Sequence, residues 1–151
     1  MKKNGFTYIE LMVSLVLVGL LASVVFPFTS LLTKKNNEIE LKRNLNEIRS
    51  AIDAYKNASD KGEIHSDYVT ESGYPPKLEM LTGVPNNTNE KVLRFIRKIP
   101  SDPFYDNQFD DKWTIRSYDS EFLTPKKGKD VYDIYSKSIE KGTNGIQYKY
   151  W

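Results

Sequence analysis

Residues 5–11 read GFTYIEL and open a long apolar segment. No charged residue occurs from Leu11 to Thr33, so Glu10 lies at the edge of a stretch with the hydropathy of a membrane-spanning helix. A charge at the centre of a helix in lipid costs about 2.5–3.5 kcal/mol, and less toward the interface. The position of Glu10 therefore predicts that another group compensates for the charge of its carboxylate.

Residues 6–33 are predicted to form a single transmembrane helix, because about 20 apolar residues suffice to cross a bilayer. Lys2 and Lys3 precede this run, which predicts a cytoplasmic N-terminus and a remainder of the chain on the other side of the membrane. A cleaved secretory signal has a shorter apolar region of about 7–15 residues and a small-x-small cleavage site. The apolar run here is longer than that, and no obvious small-x-small site follows it. The segment therefore favours an anchor, either plain or trimmed for assembly.

The composition excludes several classes of site. The chain of 151 residues has 22 basic and 20 acidic residues, a balance that gives no strong field for nucleic acid, and no nucleic-acid partner is expected. Cysteine is absent, so there is no disulfide, no thiolate metal site and no thiol nucleophile. The single histidine excludes a multi-histidine metal centre.

Residues 34–59 continue the helix in amphipathic form. Apolar side chains recur at spacings of three and four, which predicts one buried face against a globular head, while most of the charged side chains form a solvated face. The apolar positions are Leu41, Leu45, Ile48, Ile52 and Tyr55.

Residues 60–151 are predicted to form the head. Residues 60–62 (DKG) are a plausible helix exit, and short helices are expected at 78–81 and 90–98. Alternating and β-branched patterns then predict strands at 113–118, 131–136 and 146–151. Three antiparallel strands on one amphipathic helix give an α+β fold.

The N-terminal motif resembles the cleavage signal of type IV pilins and of the pseudopilins of type II secretion. The resemblance implies that residues 1–5 are a leader peptide, cleaved after Gly5 by a prepilin peptidase that also methylates the new N-terminus at Phe6. Glu10 then corresponds to the family's fifth-position glutamate, which docks against the free amine of a neighbouring subunit. Gly19 and Pro27 fall where the family often has helix-loosening residues.

The head also resembles this family. Residues 74–76 (YPP) and 99–103 (IPSDP) are similar to a stretch of the major-type pseudopilin, and 130–136 to its sheet region. The resemblance implies a pilin-like lollipop fold with a long N-terminal helix on a small antiparallel β-sheet. It also implies a non-enzymatic subunit of a type II secretion pseudopilus that helps to export folded proteins.

The same resemblance implies the partners and the location. The partners are other copies of the chain, other pseudopilins, the peptidase and methyltransferase, and an inner-membrane assembly platform. The location is the bacterial inner membrane, with a single pass and a periplasmic head. Two alternatives stay open: a type IV or competence pilus subunit at the cell surface, and a plain membrane-anchored binding domain.

Ca²⁺ is the one candidate cofactor, because the resemblance implies a calcium ion in the loops around the last strands. Its candidate ligands are Asp130, Asp133, Ser136 and Asn144, although Lys141 departs from the family's acidic loop. The alternative is that these are turn residues and a solvated edge. Further acids lack the spacing of an EF-hand and are not expected to be catalytic: Asp102, Asp106, Asp110 and Asp111.

Overall fold

The computed structural model describes residues 5–105, 113–121 and 124–151, without the side chains of 24–28. The chain divides into two compact units, Met1–Asn36 and Asn37–Trp151. The elements, in chain order, are helix α1 (Tyr8–Asp60), 3₁₀ helices Ser66–Tyr68 and Leu78–Thr82, strands β1 (Val84–Pro85), β2 (Val92–Leu93), β3 (Thr114–Arg116) and β4 (Asp133–Tyr135), and 3₁₀ helix Tyr148–Tyr150. The prediction of an α+β, pilin-like fold is confirmed.

The first unit is the N-terminal part of α1. Thr7 caps the helix, since its Oγ1 accepts the Glu10 N–H at 3.3 Å and its carbonyl accepts the Leu11 N–H at 3.2 Å. Every side chain from Phe6 to Ser23 is exposed, although most are large and apolar. Where the structure describes both backbone and side chains, no helix is apolar over a length sufficient to cross a membrane.

The second unit is built on the C-terminal part of α1, whose predicted apolar stripe is confirmed. The five stripe side chains, from Leu41 to Tyr55, are at most 2% exposed. They pack into one core with Ala51 and Ala58 of the same helix and with side chains from along the head. The head residues of this core are Ile64, Leu78, Leu81, Val84, Ile96, Trp113, Val131, Ile134 and Tyr148.

The helix exit lies where the sequence predicts it. Gly62 has a φ of 70°, and its N–H bonds to the Ser59 carbonyl at 2.9 Å. The Glu63 N–H reaches back to the Ala58 carbonyl at 3.0 Å, as in a helix closed by a left-handed glycine. The short helix predicted at 78–81 is also present, as the 3₁₀ helix that ends before Gly83.

The helix predicted at 90–98 is wrong. Asn86 Oδ1 accepts the N–H groups of both Glu90 and Lys91 at 3.0 Å, which closes a turn and leads into β2, paired antiparallel with β1. The Phe95 and Ile96 N–H groups then bond to the Leu81 carbonyl. These partners outside the segment replace the bonds that a helix would make within it.

The strands at 113–118 and 131–136 are confirmed in shortened form as β3 and β4, which pair antiparallel with Ile115 opposite Ile134. The strand predicted at 146–151 is wrong, because Tyr148–Tyr150 form a 3₁₀ helix. The buried ring of Tyr148 stacks on Phe104 at a centroid distance of 4.1 Å, a contact that the local pattern does not reveal. In the described residues the head therefore has two two-stranded sheets.

Glu38 ties the last loop of the head to α1. Its buried carboxylate accepts the Thr143 N–H and Thr143 hydroxyl, both at 2.7 Å, and the Tyr148 hydroxyl at 3.1 Å. Burial, together with the bond to Glu38, raises the pKa of Tyr148, so its hydroxyl stays protonated and donates. A charged acceptor with three donors makes stronger hydrogen bonds than neutral pairs do.

Replacement of Glu38 by Ala is expected to lower the free energy of unfolding by about 2–4 kcal/mol, because the buried Tyr148 hydroxyl and two donors on Thr143 lose their acceptor. The measurement is urea unfolding of the full chain in detergent. Glu40→Ala is the matched control, since Glu40 is exposed on the same helix and its loss should change stability by less than about 0.5 kcal/mol. Equal effects of the two substitutions would contradict the role of Glu38.

Candidate functional site

The predicted processing site lies just before α1. Gly5 and Phe6 are in irregular backbone, the Phe6 side chain is 80% exposed, and a methyl group built on Gly5 meets no atom within 4 Å. The peptide bond between them belongs to no helical hydrogen-bond ladder, so a protease could bind it without unwinding a helix. The remainder of the predicted leader, residues 1–4, lies outside the described residues.

Glu10 lies in the first turn of α1, where the helix dipole favours a negative charge. Its side chain is exposed, and within the described part of the chain its carboxylate has no ion-pair partner. The Glu10 carbonyl accepts the Ser14 hydroxyl at 2.7 Å, so the backbone here is fully engaged in the helix. The carboxylate is thus held on an ordered helical turn and remains available to another molecule.

The two helix-loosening candidates lie inside a continuous helix. The backbone of α1 is helical through positions 19 and 27, and a methyl group built on Gly19 meets no atom within 4 Å. The side chain of Pro27 lies outside the described set. Loss of helical order at these positions in a filament stays a prediction.

Asp130 is 6% exposed and is surrounded by protein donors. Its Oδ1 accepts the Ser117 hydroxyl at 2.7 Å and the Tyr118 N–H at 2.9 Å, and its Oδ2 accepts the Ser72 hydroxyl at 2.5 Å. Burial alone raises the pKa of Asp130, but these three hydrogen bonds outweigh it and lower the pKa below its ordinary 3.8. The carboxylate is therefore ionised, and both of its oxygens accept hydrogen bonds from the protein.

Asp133, the first residue of β4, lies between two arginines. Its Oδ1 accepts from Arg49 Nε on α1 at 2.8 Å, and its Oδ2 accepts from Arg116 on β3 at 3.3 Å. Arg49 also donates to the main-chain oxygens of Ile134, at 3.3 Å, and Trp151, at 2.9 Å. One ion-pair cluster thus joins the helix, both strands and residue 151.

The other two candidate calcium ligands make local contacts. The hydroxyl of Ser136, which is buried, accepts the Ser138 N–H at 3.0 Å. Asn144 is exposed in a separate turn, where its side-chain oxygen accepts the Ile146 N–H at 3.0 Å. Among the residues that the structure describes, no three acidic, histidine or cysteine side chains come together as metal ligands.

These residues do not fit a Ca²⁺ site in this arrangement. Calcium takes about 6–8 oxygen ligands, and carboxylates supply most of its charge compensation. Here the oxygens of Asp130 and Asp133 face N–H and O–H donors, and two of those donors belong to guanidinium groups. Of the further acids, Asp102 is buried and accepts the Phe104 N–H, and the other three, at 106, 110 and 111, lie outside the described residues.

Sequence reasoning missed both Glu38, which it did not consider, and Arg49, which it counted among the charged residues mostly off the apolar stripe. A positional signal was available for both. Glu38 precedes Leu41 by three residues, and Arg49 follows Leu45 by four, so both lie on the buried stripe or its edge. No local signal identifies their partners, because Thr143 and Asp133 lie 105 and 84 residues further along the chain.

Comparison with known proteins finds similarity to an N-terminal motif family and to secretion-system proteins. A family model for the prokaryotic N-terminal methylation motif matches residues 1–26. The type II secretion system core protein G of Pseudomonas aeruginosa is 30% identical over 103 residues, which cover 68% of this chain and 69% of that protein. Its counterpart in Escherichia coli is 29% identical over 103 residues, 68% of each chain.

A type IV major pilin protein, PilA of Myxococcus xanthus, is 29% identical over 76 residues, which cover 50% of this chain and 33% of that protein. No solved structure matches the chain significantly.

Replacement of Asp130 by Asn is expected to cost about 2 kcal/mol of stability near pH 7, since three hydrogen bonds lose their charged acceptor. The folded pKa of Asp130 lies below 3.8, so the ionised form adds stability above that pH and loses it as the pH falls through the folded pKa. The difference between wild type and variant should therefore narrow in acid.

Urea unfolding of the full chain in detergent at about pH 7 and about pH 3 measures this difference. The control is Asp119→Asn, because Asp119 is exposed in the same loop. A loss of stability that is equally large at both pH values contradicts the assignment.

Proposed function

This chain belongs to the family of type II secretion system core protein G, the major pseudopilins, and on that premise we propose that it is a structural subunit of a type II secretion pseudopilus and not an enzyme. Its role in this proposal is to polymerise into a filament that helps to export folded proteins. The family relation supports a subunit of the filament body.

The observation that carries this proposal is the exposed apolar surface of the first unit. From Phe6 to Leu21 the helix presents large apolar side chains to its surroundings, far more than the isolated apolar residues of an ordinary protein surface. Such a surface is stable only when lipid or other apolar helices cover it. A subunit that moves from a membrane into a helical filament meets both conditions.

Cleavage after Gly5 and methylation of Phe6 complete the assembly site in this proposal. Cleavage creates an amine at Phe6, a cation in apolar surroundings, and Glu10 of a neighbouring copy can pair with it. A paired charge in a medium of low dielectric constant is tolerable where a single charge is not. The exposure of Phe6 and the lack of a described ion-pair partner for Glu10 support this intermolecular pairing.

The proposed location is the bacterial inner membrane. Residues 6–33 would cross it once, with residues 1–5 on the cytoplasmic side and the head, 60–151, in the periplasm on the amphipathic part of the helix, 34–59. The proposed partners are further copies of the chain, other pseudopilins, the prepilin peptidase and methyltransferase, and an inner-membrane assembly platform. The uncharged stretch after Glu10 and the lysines before Gly5 support this orientation.

A type IV pilus subunit at the cell surface is the second candidate function. The partial similarity to a type IV major pilin favours it, because pilins and pseudopilins share the N-terminal segment. Immunogold labelling of intact cells and assay of secreted proteins in a deletion strain separate the two. A secretion defect without surface filaments supports the pseudopilus, and long surface filaments with normal secretion support the pilus.

Mass spectrometry of the mature protein is expected to find Phe6 as the first residue, with one added methyl group. Gly5 should be essential for this processing, because it is the only residue type without a side chain, and a peptidase site that fits it would exclude a larger residue next to the cleaved bond. Gly5→Val should accumulate as the uncleaved chain, whereas Thr7→Ser, two residues away, should be processed normally. Any mature N-terminus other than methylated Phe6 would refute the proposed maturation.

Glu10→Gln is expected to be cleaved and methylated normally but to assemble poorly. Loss of one partner of a buried charge pair costs about 3 kcal/mol, which corresponds to about a hundredfold weaker subunit association. Filament yield after shearing and cross-linking of membranes measures the effect. Ser23→Ala, an exposed polar position on the same helix, is the control, and wild-type filament yield from Glu10→Gln would exclude the docking role.

A further inference from the structure

The segment 130–136, which includes β4, is held by donors from three distant parts of the chain. At its start, Asp130 accepts hydrogen bonds from Ser72 and from the Ser117–Tyr118 pair. Backbone bonds run beside these contacts, since the Val131 N–H bonds to the Pro75 carbonyl at 2.8 Å and the Tyr132 N–H to the Arg116 carbonyl at 2.9 Å. The start of the segment is thus attached on both sides by protein groups.

The middle of the segment is held by guanidinium groups. Arg49 and Arg116 bind different oxygens of Asp133, so both oxygens of that carboxylate already face a guanidinium group. Arg116 also lies 4.9 Å from the centre of the Tyr132 ring, a cation–π contact that fixes its orientation. A divalent cation placed at Asp133 would meet two fixed positive charges and would have to displace at least one of them.

The loop between β3 and β4 places basic side chains next to Asp130 in the sequence. Lys126, Lys127 and Lys129 precede Asp130, and Lys126 is tied into the loop through its main chain, which bonds to Ser117 and Ser120. Carboxylates in calcium loops bring the excess negative charge that the ion requires. Here residues 116–136 carry four basic and four acidic side chains, so the region has no excess of negative charge.

We propose that Arg49, Arg116, Ser72 and Ser117 serve in this chain as internal counter-groups for Asp130 and Asp133, so that the β3–β4 region folds without a bound divalent cation. A major pseudopilin of this type would be insensitive to the calcium concentration of its surroundings. The proposal concerns the folding of the single chain and does not depend on its assembly into a filament.

Thermal unfolding of the full-length chain in detergent tests this proposal directly. Samples treated with EGTA and samples in about 5 mM CaCl₂, above the Kd of about 10⁻³ M of the weakest extracellular calcium modules, should have the same Tm within about 1 °C. A Tm that rises by several degrees with Ca²⁺, or a chain that unfolds in EGTA, overturns the proposal. Titration calorimetry with CaCl₂ should show no saturable binding.

Two arginine variants test the internal network in the same assay. Arg49→Met should lower the Tm by several degrees, because Asp133 and two main-chain oxygens lose a donor, and Ca²⁺ should not restore it. Arg43→Met removes the same charge from an exposed site on the same helix and should leave the Tm unchanged. The proposal is overturned if Arg49→Met has an unchanged Tm, or if Ca²⁺ restores the Tm of this variant. Neither result would contradict the proposed function in a filament.

Discussion

Burial of the apolar stripe of α1 is the interaction on which the head depends. The two sheets contain strands of two or three residues, and isolated two-stranded sheets are only marginally stable in water. The stripe supplies a rigid apolar surface on which these short elements can pack together. Tyr55 shows the depth of this packing, because its ring is fully buried and its hydroxyl donates to the Tyr68 carbonyl at 2.6 Å. Burial raises the pKa of Tyr55 to about 12, so that donor persists at neutral pH.

Polar side chains on and beside the stripe fix the positions of distant segments of the head. Glu38, Asn44 and Arg49 each bind a different distant segment: Glu38 the turn at Thr143, Asn44 the carbonyl of Ser101 at 3.0 Å, and Arg49 the strand β4. Apolar contacts alone specify such loops poorly, because they have no direction. Hydrogen bonds from one helix to three distant segments supply that direction, and a buried polar group without its partner is costly enough to exclude other arrangements.

How much of the structure could be predicted from the sequence depends on whether the interactions that form it are local or long-range. The stripe and its end at Gly62 were predictable because helical periodicity and glycine caps are local. The N-terminal motif was predictable because the methylation-motif family is defined by one continuous segment, residues 1–26. The segments near Phe95 and Tyr148 were not, because their backbone and ring partners, Leu81 and Phe104, belong to other parts of the chain. The candidate ligand Asp133 was found by residue type, but its actual partners are arginines that only the folded chain brings to it.

Several described carboxylates bind within the head and Glu10 does not, a difference that bears on the proposed function. Glu38, Asp130 and Asp133 each use their oxygens on donors within the head, which makes them part of the fold. Glu10 lies on an equally ordered helix, yet its carboxylate has no such partner among the described residues. A charge left in this state beside an apolar helix surface is stable in water but costly in lipid or between helices. The absence of such a partner is consistent with the proposal that a group on another chain pairs with Glu10 on assembly.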